Sequence, residues 1–498
     1  MPTHHAKGNP RLSFWPRVRE FAVPPSMIET ATARRHAGDW AGACAAAGID
    51  VDLHLRSVAH AYGRQFAARL RADLRHLAPD LLRWHLPRIA PDGLLRPGLT
   101  IALARYDPQG RDGARPVHLV VRTPPAWADA GQRISLALWD GSRPDAGAGR
   151  HPHPRPHRRF RLDLHRHLWD ARRTDELRTR SGADRLPADG PSAPDSEPPR
   201  TELLGTELLG AVPYGYRCAV DRWAAEAGIV LRAEGRPAGP VTVRLGARHR
   251  LILDPAADGD REGAAGPVPR IAAAPTGGSV SALPVLPDAA TWVPPDLELI
   301  RAGAIEAGRL HPLVAAALVP DRTAAGPPRP AERPGQRPRL VECRGARHRI
   351  GLVDGVLVPL DHDPAEIRRE ELLAALSGTP LPCLQVIDEV HRRPDCLTGV
   401  RERLAHGDTA GALAVVESLL GPGATLRTGA LRDALETAAR RRITYGLYRS
   451  GLTGTGPGGP GSRPESGSGE PGPDPRPGRP DRRRPPDCRA HPRHATSR

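Results

Sequence analysis

The spacing of apolar residues divides the chain into helical ends and a β-rich middle. Near the amino terminus, one apolar stripe recurs every three or four positions and predicts a long amphipathic helix. Its members are Val58, Tyr62, Phe66, Leu70, Leu74 and Leu77. Ser26 and Glu29 have the spacing of a capping box and predict an earlier helix through Arg35. Asp39 predicts the cap of a short helix over 40–47.

From Thr100 the apolar period changes to two, which is typical of half-buried strands. The segments predicted to be strands are TIALARYD, PVHLVVRTP, QRISLALWD and RFRLDL. Helices are predicted to follow over 168–180 and 216–227. The result is a small β unit closed by a helix, with a second unit beginning after it.

The pentapeptide Gly-Ala-Arg-His-Arg occurs twice, at 246–250 and at 345–349, each time between strand-like runs. This repeat predicts a β-hairpin module used twice. Strand alternation places the histidine with the apolar residues and the arginines on the opposite face. The candidate binding residues of this repeat are Arg248, Arg250, Arg347 and Arg349, because paired guanidinium groups suit phosphate or carboxylate. A sheet face open to water is the alternative.

After His362 the pattern becomes helical, with Asp363 as a predicted cap. Helices are predicted over 383–392, 396–405, 409–420 and 429–449. The fold class is therefore multidomain α+β, with helical ends, two β-containing middle modules and a disordered tail. The predicted divisions are a helical region 1–97, a β unit 98–181, a linker 182–210, an α+β module 211–320, a linker 321–338, a hairpin with a helical domain 339–452, and the tail 453–498.

Composition excludes several kinds of chemistry. Lys7 is the only lysine, beside seventy-one arginines, and it stands in a polar arm. A phosphate-binding loop of the Walker type and a Schiff-base site both need a lysine within a folded site. The six cysteines form no closely spaced pair and are expected to be free thiols. No apolar signal core or membrane-spanning run is present, so a cytoplasmic location without membrane contact is expected.

The formal charge of +16 is concentrated in a few segments. Residues 150–173 hold eight arginines against two aspartates, together with five histidines. We expect a solvated basic loop there, with Arg158, Arg159 and Arg161 as candidate contacts for phosphates. Metal binding by its histidines is not expected, because the prolines hold them apart. The sequence predicts no metal site and no cofactor.

Two further patterns suggest known families only locally. Residues 38–45 match residues 407–414 at six of eight positions. Each copy resembles the turn and second-helix start of a tetratricopeptide hairpin, although such solenoids need about three stacked units. The segment LQVIDEVH resembles the DExH box of helicases. That box works with a phosphate-binding loop, which this chain cannot build without a lysine.

Three functional hypotheses remain. The leading one is a non-catalytic, cytoplasmic protein-interaction or adaptor protein whose partners are other proteins. The second is a nucleic-acid-binding protein that uses residues 150–173 and the tail. The third is an enzyme whose site assembles only in three dimensions, although no catalytic residue is identified. Its pool of chemical groups is Asp361, His362, Asp388, Glu389 and His391.

Overall fold

The computed structural model confirms a mixed α+β protein with helical ends. It describes residues 10–107, 115–141, 151–185, 210–246, 249–255, 270–274, 282–320, 339–343, 345–353, 356–378, 381–392, 397–420, 426 and 428–452. The tail, the linker 321–338, most of the linker 182–210, Arg248, Cys396 and Cys488 lie outside these ranges. The domain boundaries stay a prediction.

Helices predominate in the described part of the chain. In chain order they are α1 Pro10–Phe21, α2 Pro25–His36, α3 Trp40–Ala46, α4 Leu55–Tyr62, α5 Arg64–His76, α6 Pro79–His85, α7 Glu176–Ser181, α8 Val220–Ala233, α9 Asp288–Thr291, α10 Pro295–Arg301, α11 Pro312–Leu318, α12 Pro364–Ser377, α13 Pro382–Arg392, α14 Leu397–His406, α15 Thr409–Leu420 and α16 Ala430–Arg449. Among the described residues, no helix is both long enough and apolar enough to cross a membrane.

Strands form three small sheets. They are β1 Ile49–Val51, β2 Thr100–Tyr106, β3 Val117–Arg122, β4 Ile134–Trp139, β5 Val241–Leu245, β6 His249–Asp254, β7 Arg270–Ala273, β8 Arg339–Cys343, β9 Ala346–Val353 and β10 Val356–Pro359. The first sheet has the order β1-β4-β3-β2, and the other two are antiparallel meanders with β6 and β9 in the middle.

The amino-terminal helices differ from the predictions at two points. Helix α2 begins at Pro25, and no side chain caps it, so the predicted capping role of Ser26 is wrong. Proline suits the first helical position because its φ is already helical and its missing N–H is not needed there. The long predicted helix is two helices, because Gly63 separates α4 from α5 with a φ of +93°. The apolar stripe continues across this break.

The first sheet includes a strand that the alternation did not reveal. Strand β1 follows α3 and pairs in parallel with β4, with Ile49 opposite Ile134. RFRLDL was predicted as the fourth strand, and this is wrong. It makes a single bridge between Arg161 and Ala102 and continues as a 3-10 turn over Leu162–Leu164. The predicted helix over 168–180 is also much shorter than expected, since α7 begins at Glu176.

Both copies of the repeated pentapeptide begin the middle strand of a three-stranded sheet. Gly246 and Gly345 occupy the turns with φ values of +73° and +77°, a region that favours glycine. Leu251 and Leu253 are buried, while Arg250 is exposed, as the alternation predicts. His249 is exposed rather than packed with the leucines.

One apolar core joins α1 to α6, the first sheet, and residues from α10 and α11. Within it, the Arg19 guanidinium and the Asp296 carboxylate form a buried ion pair, with N–O distances of 2.9 Å. The carboxyl-terminal helices dock on the same body. Arg83 donates a hydrogen bond to the carbonyl of His406, and Tyr445 donates one to Asp50 at 2.6 Å.

Candidate anion-binding site

From Phe160 onward the basic segment is folded into the body of the protein, so the expectation of a solvated loop is wrong for this half, whereas Arg155 and Arg158 in the first half are exposed. Phe160 and Trp169 are buried in the main core. Trp169 donates its indole N–H to the carbonyl of Leu162 at 2.9 Å. The side chains of His165 and His167 are also buried. Apolar residues at 160, 162, 168 and 169 tie this segment to the sheet and to α6, which exposes only part of its charge.

Ion pairs neutralise most of the arginines in the second half of this segment. Arg161 binds Asp163 and Glu234, and Arg166 binds Asp73 and Asp170. Arg172 and Arg173 pair with Asp170 and Glu176. These ion pairs contribute to the stability of the fold and leave little net positive charge in this half of the segment. The arginines nearer the start of the segment are therefore the remaining candidates for an anion-binding site.

A pair of like charges stands on the sheet beside that start. Arg244 on β5 lies directly opposite Arg250 on β6. Like charges in direct cross-strand register destabilise a sheet. Both side chains line the same cleft, together with Arg155, Arg158 and Arg159. We call these five arginines the cationic cleft.

The second copy of the pentapeptide lacks this feature. Arg349 occupies the position equivalent to Arg250, and its guanidinium is bound by the Asp361 carboxylate at 2.8 Å. Arg347 lies opposite Glu342, an opposite charge. In the first copy, Arg244 lies opposite Arg250, whereas in the second copy Leu340 lies opposite Arg349. The first copy therefore places two positive charges side by side where the second copy has one, and an anion from outside the chain would be stabilised between them.

The cationic cleft has a volume of about 500 Å³, and among the described residues no carboxylate lines it. Thr242 also lines it, and its hydroxyl is buried without a hydrogen-bond partner in the described structure. Phosphate oxygens accept hydrogen bonds from guanidinium groups and hydroxyls alike. The cleft thus offers donors and positive charge, and the carboxylate that pairs with one of its arginines, Asp288 with Arg159, lines the adjoining cavity and not the cleft.

Mutual repulsion and burial are visible in the pKa values around the cleft. Partial desolvation at the cleft, followed by the charges of Arg159 and Arg244, lowers the pKa of His157 to about 4. Burial and the nearby Arg159 also lower the pKa of Arg96. A bound anion would stabilise the protonated form of each group, so binding is expected to raise both pKa values.

A second cavity of about 590 Å³ adjoins the cleft and shares four lining residues with it, His153, His157, Arg159 and Arg244. Its walls include six aromatic side chains, and we call it the aromatic cavity. They are Phe14, Trp15, Trp84, Phe160, Tyr216 and Trp292. At the junction Arg159 forms an ion pair with Asp288. Burial raises the pKa of Asp288, against the opposing effect of Arg159.

The structure separates the predicted binding residues into two groups. Arg158, Arg159 and Arg250 meet at the cationic cleft. Arg161 lines the aromatic cavity but is bound by two carboxylates. Arg347 and Arg349 lie on the other sheet, and Arg248 lies outside the described residues.

Sequence reasoning missed Arg155, Arg244 and Thr242. The last two lie on the strand before the repeat. Extending the alternation from the repeat to its partner strand would have placed Arg244 on the arginine face.

The candidate catalytic groups are only partly described. Asp361 binds Arg349, and His362 lies near two cysteines. The side chains of Asp388, Glu389 and His391 lie outside the described set. Among the described residues, the group close enough to share a metal ion is Cys343, His362 and Cys383, none of which belongs to the histidine-rich segment.

No protein-family model, no curated protein and no solved structure matches this chain. Its function must therefore be argued from its own geometry.

Proposed function

We propose that this protein is a binding protein for nucleotide phosphates, free or within single-stranded nucleic acid. The cationic cleft takes the phosphates, and the adjoining aromatic cavity takes a base. This arrangement corresponds to the general design of such sites, in which cations track the backbone and aromatic rings stack on the bases. The observation that carries the proposal is the composition of the cleft, which five arginines line and which no carboxylate among the described residues lines.

The volumes support a ligand of this size. Cavities of about 300–1,000 Å³ are typical of sites for small organic ligands. A phosphate alone would need only the cationic cleft, so the aromatic cavity favours a ligand that carries a flat ring. His157 and Arg159 lie where the two meet, so they would contact the sugar–phosphate junction.

The test is fluorescence-anisotropy titration of the purified protein with a labelled single-stranded oligonucleotide, competed by mononucleotides and by inorganic phosphate. We expect nucleotides to compete much better than phosphate, and Arg250→Ala to weaken binding about tenfold, the loss of one charge-assisted contact. Arg369→Ala removes an exposed arginine on α12 and serves as the matched control. Equal competition by phosphate and nucleotide, or equal binding by both variants, would reject the proposal.

A second candidate is the protein-interaction role. Helix α12 exposes Leu372 and Leu376 to 65% and 87%. Exposed leucines on one helix favour contact with an apolar surface of another protein. A photo-crosslinker at Leu376, compared with one at Arg369, tests this role in native cells. The candidate is rejected if the captured protein, once purified, binds wild type and Leu372→Ser/Leu376→Ser equally.

A further inference from the structure

Three chemically reactive side chains from separate elements meet beside the last sheet. Cys343 is the final residue of β8, and Cys383 lies in the first turn of α13, which packs against this sheet. His362 follows β10, just before the cap of α12. The three residues stand at positions 343, 362 and 383, far apart in the sequence, so they form no short motif. The fold alone brings them together.

The three groups have the proximity of metal ligands. One potential ligand atom from each lies within 4.8 Å of those of the other two. Both cysteines are buried, at 1% and 0% exposure, and the His362 side chain is 4% exposed. No disulfide joins the described cysteines. Tetrahedral ligands at usual Zn–S and Zn–N lengths stand about 3.5 Å apart, so only small shifts are needed.

The orientation of His362 also fits a ligand. Its Nδ1 lies 3.6 Å from a carboxylate oxygen of Glu366, while its Nε2 is buried without a hydrogen-bond partner. A metal-binding histidine commonly directs its other nitrogen to a carboxylate, which fixes the ring. The ring of His348 stacks on His362 with centroids 4.1 Å apart, and this holds the plane in place.

We propose that Cys343, His362 and Cys383 bind one zinc ion. Two thiolates and an imidazole form the ligand set that zinc prefers, and three protein ligands leave one tetrahedral position open. The ion would tie β8, the β10–α12 connection and α13 together. A sheet of three short strands has little core of its own, so such a link would contribute to its stability. This proposal is independent of the proposed nucleotide site.

The test uses the full chain, expressed in zinc-supplemented medium with a cleavable affinity tag that contains no histidine. Elemental analysis is expected to give one zinc per chain. Replacement by cobalt(II) is expected to give a thiolate-to-cobalt charge-transfer band in the near ultraviolet. This band reports thiolate ligands, so binding by the surface histidines cannot produce it.

Cys343→Ser/Cys383→Ser is expected to lose both the zinc and the band, while Cys218→Ser is the matched cysteine control and keeps both. If the double variant fails to fold, the cobalt spectrum of the unmodified protein still decides. Metal-free protein from zinc-rich cells, a cobalt complex without the band, zinc retained by the double variant, or a Cys343–Cys383 disulfide in the reduced preparation would overturn the proposal.

Discussion

Arg244 and Arg250 stand directly opposite each other on neighbouring strands, and both line the cationic cleft. The equivalent arginine in the second copy, Arg349, is instead bound by Asp361. The two copies share a topology but differ in charge balance. A repulsive pair at a cleft lowers the stability of the fold, and such destabilising arrangements are typical of binding sites.

The first prediction concerns the stability that is lost through the repulsion between Arg244 and Arg250. Arg250→Thr is expected to raise the free energy of unfolding by about 0.5 kcal/mol, because it removes a like-charged cross-strand neighbour. The same substitution is expected to weaken nucleotide binding. Urea unfolding followed by circular dichroism measures the stability, and the anisotropy titration measures the binding.

The control is Arg347→Thr on the other sheet. Arg347 faces Glu342, so its removal is expected to lower stability by about 0.3 kcal/mol and to leave binding unchanged. If Arg250→Thr lowers the free energy of unfolding as much as the control does, Arg250 is not repelled by Arg244.

The second prediction uses the repeat shared by the two ends of the chain. Gly38 and Gly407 occupy equivalent positions with φ values of +77° and +91°. A Cβ at Gly38 would meet no atom within 4 Å, whereas one at Gly407 would lie 1.9 Å from the Gly131 carbonyl oxygen. Gly38→Ala is expected to cost about 1 kcal/mol through its backbone alone.

Gly407→Ala carries the same backbone cost and also separates the carboxyl-terminal helices from the body. We expect a loss of about 3–4 kcal/mol for it. Thermal and urea unfolding of the two variants provide the comparison. Equal losses would indicate that α14 and α15 do not dock against residue 131.

The third prediction concerns pH. Burial lowers the pKa of His85 to about 4 and that of His406 to about 3, from 6.5. The unfolded chain therefore binds more protons below pH 6.5, and stability falls as the pH falls from about 6.5 towards 3. Each histidine contributes up to about 1.4 kcal/mol per pH unit, His85 down to about pH 4 and His406 down to about pH 3.

Glu226 adds to the loss at lower pH. Burial opposes its charged form, but the close contact of His165 and the hydrogen bonds from Arg180 lower its pKa to about 2, so its contribution is lost from about pH 4.5 to 2. His406→Gln is expected to reduce the slope between pH 6.5 and 4, measured by urea unfolding at each pH. His249→Gln, at an exposed site, is the control, and an unchanged slope for His406→Gln would contradict the assignment.

Local signals in the sequence predicted local structure well. Asp39, Asp363 and Asp408 each cap a helix, accepting hydrogen bonds from Gly42, Ala365 and Gly411. Asp39 and Asp363 were predicted, and the repeat places Asp408 with them. These caps depend on atoms two or three residues away, which a sequence displays directly.

The features that could not be predicted from the sequence depend on contacts between residues that are far apart along the chain. Arg159 is neutralised by Asp288 and Arg166 by Asp73, each far away along the chain, so the net charge of the basic segment was misleading. Strand β1 has three residues, too few for a visible period, and its parallel partner β4 comes more than eighty residues later. The cationic cleft depends on such contacts, so the sequence predicted Arg158, Arg159 and Arg250 as binding residues but placed them in two separate features, the basic segment and the repeat.

The fourth prediction tests the central claim, that the cationic cleft binds the phosphates of a nucleotide chain. The measurement is the salt dependence of single-stranded oligonucleotide affinity for wild type, Arg244→Gln/Arg250→Gln and the matched control Arg368→Gln/Arg369→Gln on α12. Each phosphate contact contributes about 0.7 to the slope of log affinity against log salt. The cleft variant should therefore lose about 1.4 from that slope, and the control should lose none. Equal slopes for all three proteins, with each variant folded by circular dichroism, would contradict the account.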